Sequence, residues 1–154
     1  MRAIRVLVAC LVLAAPAAAE PDAPLPEVVA ALARVGDAST IELTTTGRRS
    51  GRLHTRPIWF VVRDGAILVQ SGKEGKTDWY RNVLANPTVT VRADRYTFRG
   101  RARPLKDPEE VVRVHRLFLD KYTSARLLSW VGSGIGRGLP VEIAIDSVSV
   151  ARAR

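Results

Sequence analysis

Between residues 44 and 56 the chain reads Thr44-Thr45-Thr46-Gly47-Arg48-Arg49-Ser50-Gly51-Arg52, then His54-Thr55-Arg56. A threonine strand enters a turn that holds two glycines, a serine and three arginines. Such a turn can aim backbone N–H groups and guanidinium forks at one point, which is what gripping a phosphate or carboxylate requires. Arg48, Arg49, Ser50, Gly51 and Arg56 are the candidate donors. A second polar loop, Ser71-Gly72-Lys73-Glu74-Gly75-Lys76, stands just before a short helical pattern that carries Trp79. Backbone donors and two lysines at a helix N-terminus also favour an anion. Side by side, the two loops would clamp one extended anionic molecule. Apart, each is an ordinary solvated turn.

Little else in the chain can do chemistry. His54 opens a strand; a role as acid or base is open to it, but it reads as a satisfied or solvent-facing side chain. His115 lies mid-helix between Arg113 and Arg116 and reads as surface. Two histidines without a cysteine or carboxylate cluster exclude a zinc site. No serine stands in a nucleophile elbow. The run Gly132-Ser133-Gly134-Ile135-Gly136-Arg137-Gly138 follows a helix and enters a strand, the reverse of a dinucleotide-binding turn, so it reads as a loop over a pocket. Trp59, Trp79 and Trp130 read as core or pocket wall, with Trp79 placed best to flank a ligand. No catalytic side chain is expected, and a bound cofactor must supply the reaction.

The chain has 154 residues, enough for one domain with a core. Residues 1–19 read as a signal peptide: Arg2 and Arg5, an apolar run from Val6, and Ala17-Ala18-Ala19 as the small-residue cleavage site. Leu7-Val8-Ala9-Cys10 also fits a lipidation box and leaves acylation of Cys10 open. Positive charge at the N-terminus stays cytoplasmic, so the domain is expected outside the inner membrane, periplasmic or membrane-associated. Without the leader's two arginines, 22 basic residues face 15 acidic ones, a net +7. That excess favours anionic partners, a membrane surface among them. The remaining chain holds no cysteine and relies on its core alone.

Residues 20–36 form a proline-rich tether and a short helix, Pro26 to Val35, with Gly36 as its stop. Residues 37–154 form the binding domain. Strands are expected over Ile41 to Thr46, His54 to Val62, Ala66 to Ser71 after the Asp64-Gly65 turn, Thr88 to Arg92, Tyr96 to Arg103, and Pro140 to Asp146. Thr77 or Asp78 caps a helix that ends at Asn86-Pro87. Asp107-Pro108-Glu109-Glu110 opens a longer one that runs to about Lys121. Ser124 to Val131 reads as a further helical turn or two. From Tyr96 the alternation puts Tyr96, Phe98, Gly100 and Ala102 on one face and Thr97, Arg99, Arg101 and Arg103 on the other. The arginine face lacks interleaved exposed aromatics, so nucleic acid is not the expected partner. Strands that do not alternate with helices point to an α+β fold: a six-stranded antiparallel barrel with flanking helices.

Four blocks in order, Leu43-Thr44-Thr45-Thr46-Gly47-Arg48-Arg49-Ser50-Gly51, Thr55-Arg56-Pro57-Ile58, Ser71-Gly72-Lys73 and Trp79-Tyr80-Arg81-Asn82-Val83-Leu84-Ala85-Asn86-Pro87, resemble the deazaflavin-dependent nitroreductase family. These are flavin/deazaflavin oxidoreductases of split β-barrel fold. The resemblance implies coenzyme F420, or FMN as in relatives, lying across the barrel. It places Arg48, Arg49, Ser50, Gly51 and Arg56 at the anionic end, and Pro57, Ile58 and Trp59 along the ring system. Ser71, Gly72, Lys73, Lys76 and Trp79 complete the site. Tyr122 and Trp130 stand on the substrate side, where the family is often tyrosine-rich. The implied reaction is hydride transfer to a quinone or nitro compound, with the cofactor carrying the chemistry. The implied assembly is a homodimer. The alternative on the same fold is a non-catalytic exported module that binds another anionic ligand.

Overall fold

The protein is described from a computed structural model, which covers residues 23–122 and 138–151. Three helices and seven strands occur among the described residues: α1 Pro26–Val35, β1 Ile41–Thr46, β2 Leu53–Ile58, β3 Phe60–Arg63, β4 Ala66–Ser71, α2 Asp78–Ala85, β5 Thr88–Ala93, β6 Tyr96–Pro104, α3 Pro108–Tyr122 and β7 Leu139–Val150. All pairings are antiparallel, in the order β2-β1-β5-β6-β7-β4-β3. The two outermost strands, β2 and β3, are joined through one residue, Trp59. Edges separated by a single residue force the sheet to curl round on itself, giving the half-barrel.

This corrects the six-stranded expectation. The run from His54 to Val62 is two strands, because the chain changes partner at Trp59 from β1 to β4. The in–out alternation survives the change: Ile58 and Phe60 face the main core, Trp59 and Val61 the other side. A period of two therefore carries no mark of the break. Pro57, which has no N–H to give, sits on edge strand β2, where only one ladder needs filling. β7 is longer than the expected Pro140 to Asp146, since it pairs with both β6 and β4 in the middle of the sheet.

Inside the curl lies the main core. It takes Val28, Leu32 and Val35 from α1, Ile41 and Leu43 from β1, Trp79 and Val83 from α2, and inward residues of the remaining strands. Burying each large side chain stabilises the fold by about 1.5–3 kcal/mol. A second cluster, Val61, Leu68, Leu105, Val114, Phe118 and Tyr122, fills the gap between α3 and the outer side of β3 and β4. Apolar surface on both faces explains the unbroken Ile67-Leu68-Val69 run. On β6, Gly100 lies at a bulge where any Cβ would collide with the Ala144 carbonyl.

Local signals behave unevenly. Asp107 caps α3 as expected, its Oδ1 accepting from the N–H groups of Glu109 (3.0 Å) and Glu110 (2.9 Å). Thr77 precedes α2 without a side-chain cap; its hydroxyl bonds Ser71 Oγ at 2.6 Å instead. Gly36 follows α1 with φ −56°, so the helix ends there without the left-handed turn that glycine permits.

A cationic cleft at the rim of the half-barrel

The Gly47–Arg52 turn closes on itself through Gly47 N–H to Arg52 O (2.7 Å) and Gly51 N–H to Gly47 O (2.8 Å). It then docks on α2. Asn82 Oδ1 accepts from the Arg48 backbone N–H and from Arg48 Nη1, both at 3.1 Å. Asp78 Oδ1 accepts from Arg48 Nη1 (3.1 Å) and Nη2 (3.0 Å). Asn82 Nδ2 donates to Thr45 Oγ1 at 3.3 Å, and both residues are buried. Asn82 thus ties turn, strand and helix together. Arg48 is a brace: its charge is spent on Asp78.

Between turn, β2 and α2 runs an open cleft of about 450 Å³. Thr45, Gly47, Arg48, Arg49, Ser50, His54, Thr55, Arg56, Asp78, Trp79 and Asn82 line it. The volume is within the range of small-ligand sites. The register explains its charge. His54 pairs with Thr45, and Arg56 with Leu43, so both histidine and arginine lie on the inner face, where the neighbouring strand is core. β2 is an edge, so these two stay exposed. Arg49 and Arg56 have no ion pair among the described residues. Asp78, the one carboxylate among the described lining residues, already faces Arg48.

The expected site residues divide clearly. Arg48, Arg49, Ser50, Arg56 and Trp79 come together at the cleft. Gly51 shapes the turn with φ 67° and does not line it. Pro57, Ile58 and Trp59 lie off it: Ile58 packs on the main core, and Trp59 stacks on Tyr122 at 5.5 Å on the other side of the sheet. Ser71 is buried and bonded to Thr77. Gly72 is exposed, and Lys76 reaches back to Glu74 at 3.1 Å. Neither lines the cleft. The backbone of Lys73 opens a 3-10 turn, Lys73–Gly75, ahead of α2. The lysine loop therefore sets up the helix whose Asp78, Trp79 and Asn82 form the wall.

Tyr122 is corrected from substrate side to structural pin. It is 2% exposed. Its hydroxyl accepts from Phe60 N–H (2.9 Å) and shares its proton between the carbonyls of Phe60 (2.7 Å) and Ser39 (3.0 Å). Burial pushes the phenol up to about 12, against the lowering effect of the Phe60 hydrogen bond. Beside it Lys121 Nζ donates to Phe60 O at 2.9 Å and lies 3.7 Å over the Phe60 ring. Burial lowers its amine to about 8, partly offset by Asp37. Trp130 and the Gly132 to Arg137 run lie outside the described residues. His115 is not plain surface: it is half-buried, and its Nε2 donates to the Gly138 carbonyl at 2.8 Å.

Sequence reasoning set His54 aside and passed over Thr45, Asp78 and Asn82 as site residues. Thr45 and His54 are cross-strand partners two residues either side of the turn, a relation that register alone creates. Asn82, buried on the same side of its helix as Trp79 and Val83, was the legible signal. A buried amide must find partners.

With this geometry the chain can be compared with known proteins. Residues 27–146 match the family of F420H(2)-dependent quinone reductases, and the protein belongs to that family. Among solved structures, an F420-H2-dependent reductase is 28% identical, the match covering 71% of this chain and 95% of that one, with a TM-score of 0.53. A structure described as a domain-swapped dimer is 29% identical over 71% of this chain and 81% of that one, TM-score 0.54. A pyridoxamine 5′-phosphate oxidase-type protein from Listeria innocua is 14% identical over 82% and 99%, TM-score 0.63, and shares the split-barrel fold. The protein is accordingly an oxidoreductase of the F420H2-dependent quinone reductase family, with F420H2 as its cofactor.

Proposed function

We propose that the cleft between the Gly47–Arg52 turn and α2 seats the anionic part of F420H2, so that a quinone or nitro acceptor is reduced at this rim of the half-barrel. The observation that carries this reading is the pair Arg49 and Arg56. Two guanidinium groups without ion pairs among the described residues face one concave space. The donor set fits an anion: arginine forks and the Ser50 hydroxyl, with Asp78 neutralised by Arg48. Trp79 offers a flat apolar wall beside the charges. Arg48 and Asn82 hold the turn against the helix and orient Arg49 indirectly. When bound, the reduced deazaflavin supplies the hydride. Titration of the purified protein with oxidised F420 and with FMN tests the assignment. F420 is expected to quench tryptophan fluorescence through Trp79, and F420H2 to reduce a soluble quinone. Binding of FMN alone would shift the assignment to a flavin. Binding of neither would leave the non-catalytic anion-binding module.

The lysine loop, Ser71 to Lys76, is proposed to extend the same site toward a longer anionic tail, since it leads directly into α2. Lys73→Ala is expected to weaken F420 binding and to leave binding of inorganic sulfate unchanged. Export rests on the basic, apolar and small-residue pattern of residues 1–19. No described helix is long and apolar enough to cross a membrane. Mass spectrometry of the N-terminus from separated cell fractions decides between a periplasmic, a membrane-associated and a cytoplasmic protein. A homodimer is proposed from the dimeric relative, and sedimentation equilibrium tests it.

A further inference from the structure

The cleft contains one side chain that its reading as an anion site leaves without a task. His54 projects from the inner face of β2 and is exposed. Its ring lies across the bare Cα of Gly47: a Cβ built there would stand 2.8 Å from His54 Nε2 and 2.6 Å from Ser50 Oγ. Gly47 is therefore needed for close approach, and it brings the imidazole edge and the serine hydroxyl over the same point. The groups that line the cleft with His54 come from four elements: Thr55 and Arg56 on β2, Thr45 on β1, Arg48, Arg49 and Ser50 on the turn, and Asp78 with Trp79 and Asn82 on α2. Asp78 is held by Arg48, so among the described lining residues no free carboxylate is available to pair with the ring. Arg49, Arg56 and an imidazole thus line one space.

We propose that His54 is a protonation-dependent arm of this cradle, so that seating an anion between Arg49 and Arg56 takes up a proton at its imidazole and makes affinity rise as pH falls. The inference rests on the reading of the cleft as an anion site. Imidazole is the side chain that ordinarily changes charge between about pH 5 and 8. A protonated ring becomes a donor on both nitrogens and adds a third charge-assisted bond where the arginines supply two. Binding and proton uptake are then linked, and each must strengthen the other by the same factor. The cofactor site would load more fully on the acidic side of neutrality.

The chain has only two histidines, and His115, bonded to Gly138 in another part of the fold, is the internal control. Proton NMR of the two Cε1–H signals, followed against pH, is the direct test. Replacing chloride by sulfate at constant ionic strength is expected to raise the His54 midpoint by about one pH unit, a tenfold linkage, and to leave that of His115 unchanged. Equal movement of both, or of neither, overturns the proposal. Sulfate does not titrate in this range, so the shift belongs to the protein.

A second measurement uses F420 and fluorescence quenching, comparing wild type with His54→Gln. The ratio of their Kd values cancels any titration of the ligand. It is expected to be about tenfold near pH 6 and close to one near pH 8, and His54→Arg is expected to restore tight binding at both. Equal Kd ratios at both pH values refute the proton link while the cofactor site stands. Failure of F420 to bind, with the sulfate shift present, removes the cofactor reading while the proton link stands.

Discussion

The nine residues from His54 to Val62 form one uninterrupted alternation, yet its two ends live under opposite conditions. At the β2 end His54 and Arg56 face inward and remain exposed, without ion pairs among the described residues. At the β3 end Phe60 is fully buried, and its N–H and C=O are taken by the Tyr122 hydroxyl, with Lys121 adding a second donor to the carbonyl. The difference sets the proposed site apart from the rest of the sheet. Where the sheet is covered on both sides, an unpaired polar group is costly, and the Phe60 backbone groups are spent on the protein itself. Where the sheet ends at an open rim, donors stay solvated and remain available for a ligand. The seam holds the barrel shut; the rim is free to bind.

The largest expected effect breaks the seam. Phe60→Ala removes a fully buried ring from the point where the chain crosses between sheet edges. It should cost about 3–5 kcal/mol of stability, measured by urea unfolding, while the folded fraction still binds sulfate. A loss below about 1 kcal/mol would mean that the seam is not where the fold is held.

At the rim the expectation reverses. Arg49→Ala and Arg56→Ala should each weaken F420 binding by about 1.5–3 kcal/mol, the scale of a charge-assisted bond. Their unfolding free energies should stay within about 0.5 kcal/mol of wild type. Unchanged affinity in both variants would reduce the cleft to a solvated turn. Tyr122→Phe should fall below Phe60→Ala, at about 1–3 kcal/mol, because it leaves the Phe60 N–H buried without its partner but opens no cavity. Its anion affinity should match wild type.

The smallest effect is a pH dependence confined to the seam. The Lys121 amine is lowered to about 8 in the folded state from 10.5. Between those values the unfolded chain holds the extra proton, so stability rises as pH goes from about 8 to 10.5. Tyr122 is raised to about 12 from 10.0, so above about pH 10 the folded state holds the extra proton and stability falls. Urea midpoints should therefore pass through a shallow maximum near pH 10. In Lys121→Met the rise should vanish and the fall remain. An unchanged rise in that variant would assign it to another group.

Much of this could be read before any coordinates. The helix Pro26–Val35, the turn at Asp64-Gly65 and the Asp107 cap all depend on neighbours a few residues away, and all stand where local pattern places them. The two faces of β6 do as well. The seventh strand could not be read, because alternation continues through Trp59 while the hydrogen-bond partner changes. Tyr122 was placed on the substrate side by the resemblance alone, and no local pattern shows that its hydroxyl reaches the backbone of a strand 62 residues away. His54 looked idle because its meaning comes from Thr45 and Gly47 across the turn.

By itself, the amino-acid order determined most of the segments that become strands and helices, apart from the break at Trp59, and that glycine and arginine concentrate in one turn. These are properties of spacing and side-chain type, and they act over a few residues. Only the tertiary structure decided that Arg48 is a brace while Arg49 and Arg56 have no ion pair among the described residues, that Trp59 turns away from the cleft, and that the lysine loop leads into α2 and does not line the cleft. Those outcomes depend on which groups burial brings within hydrogen-bond reach of one another, and no local pattern records the partner that a polar group will find.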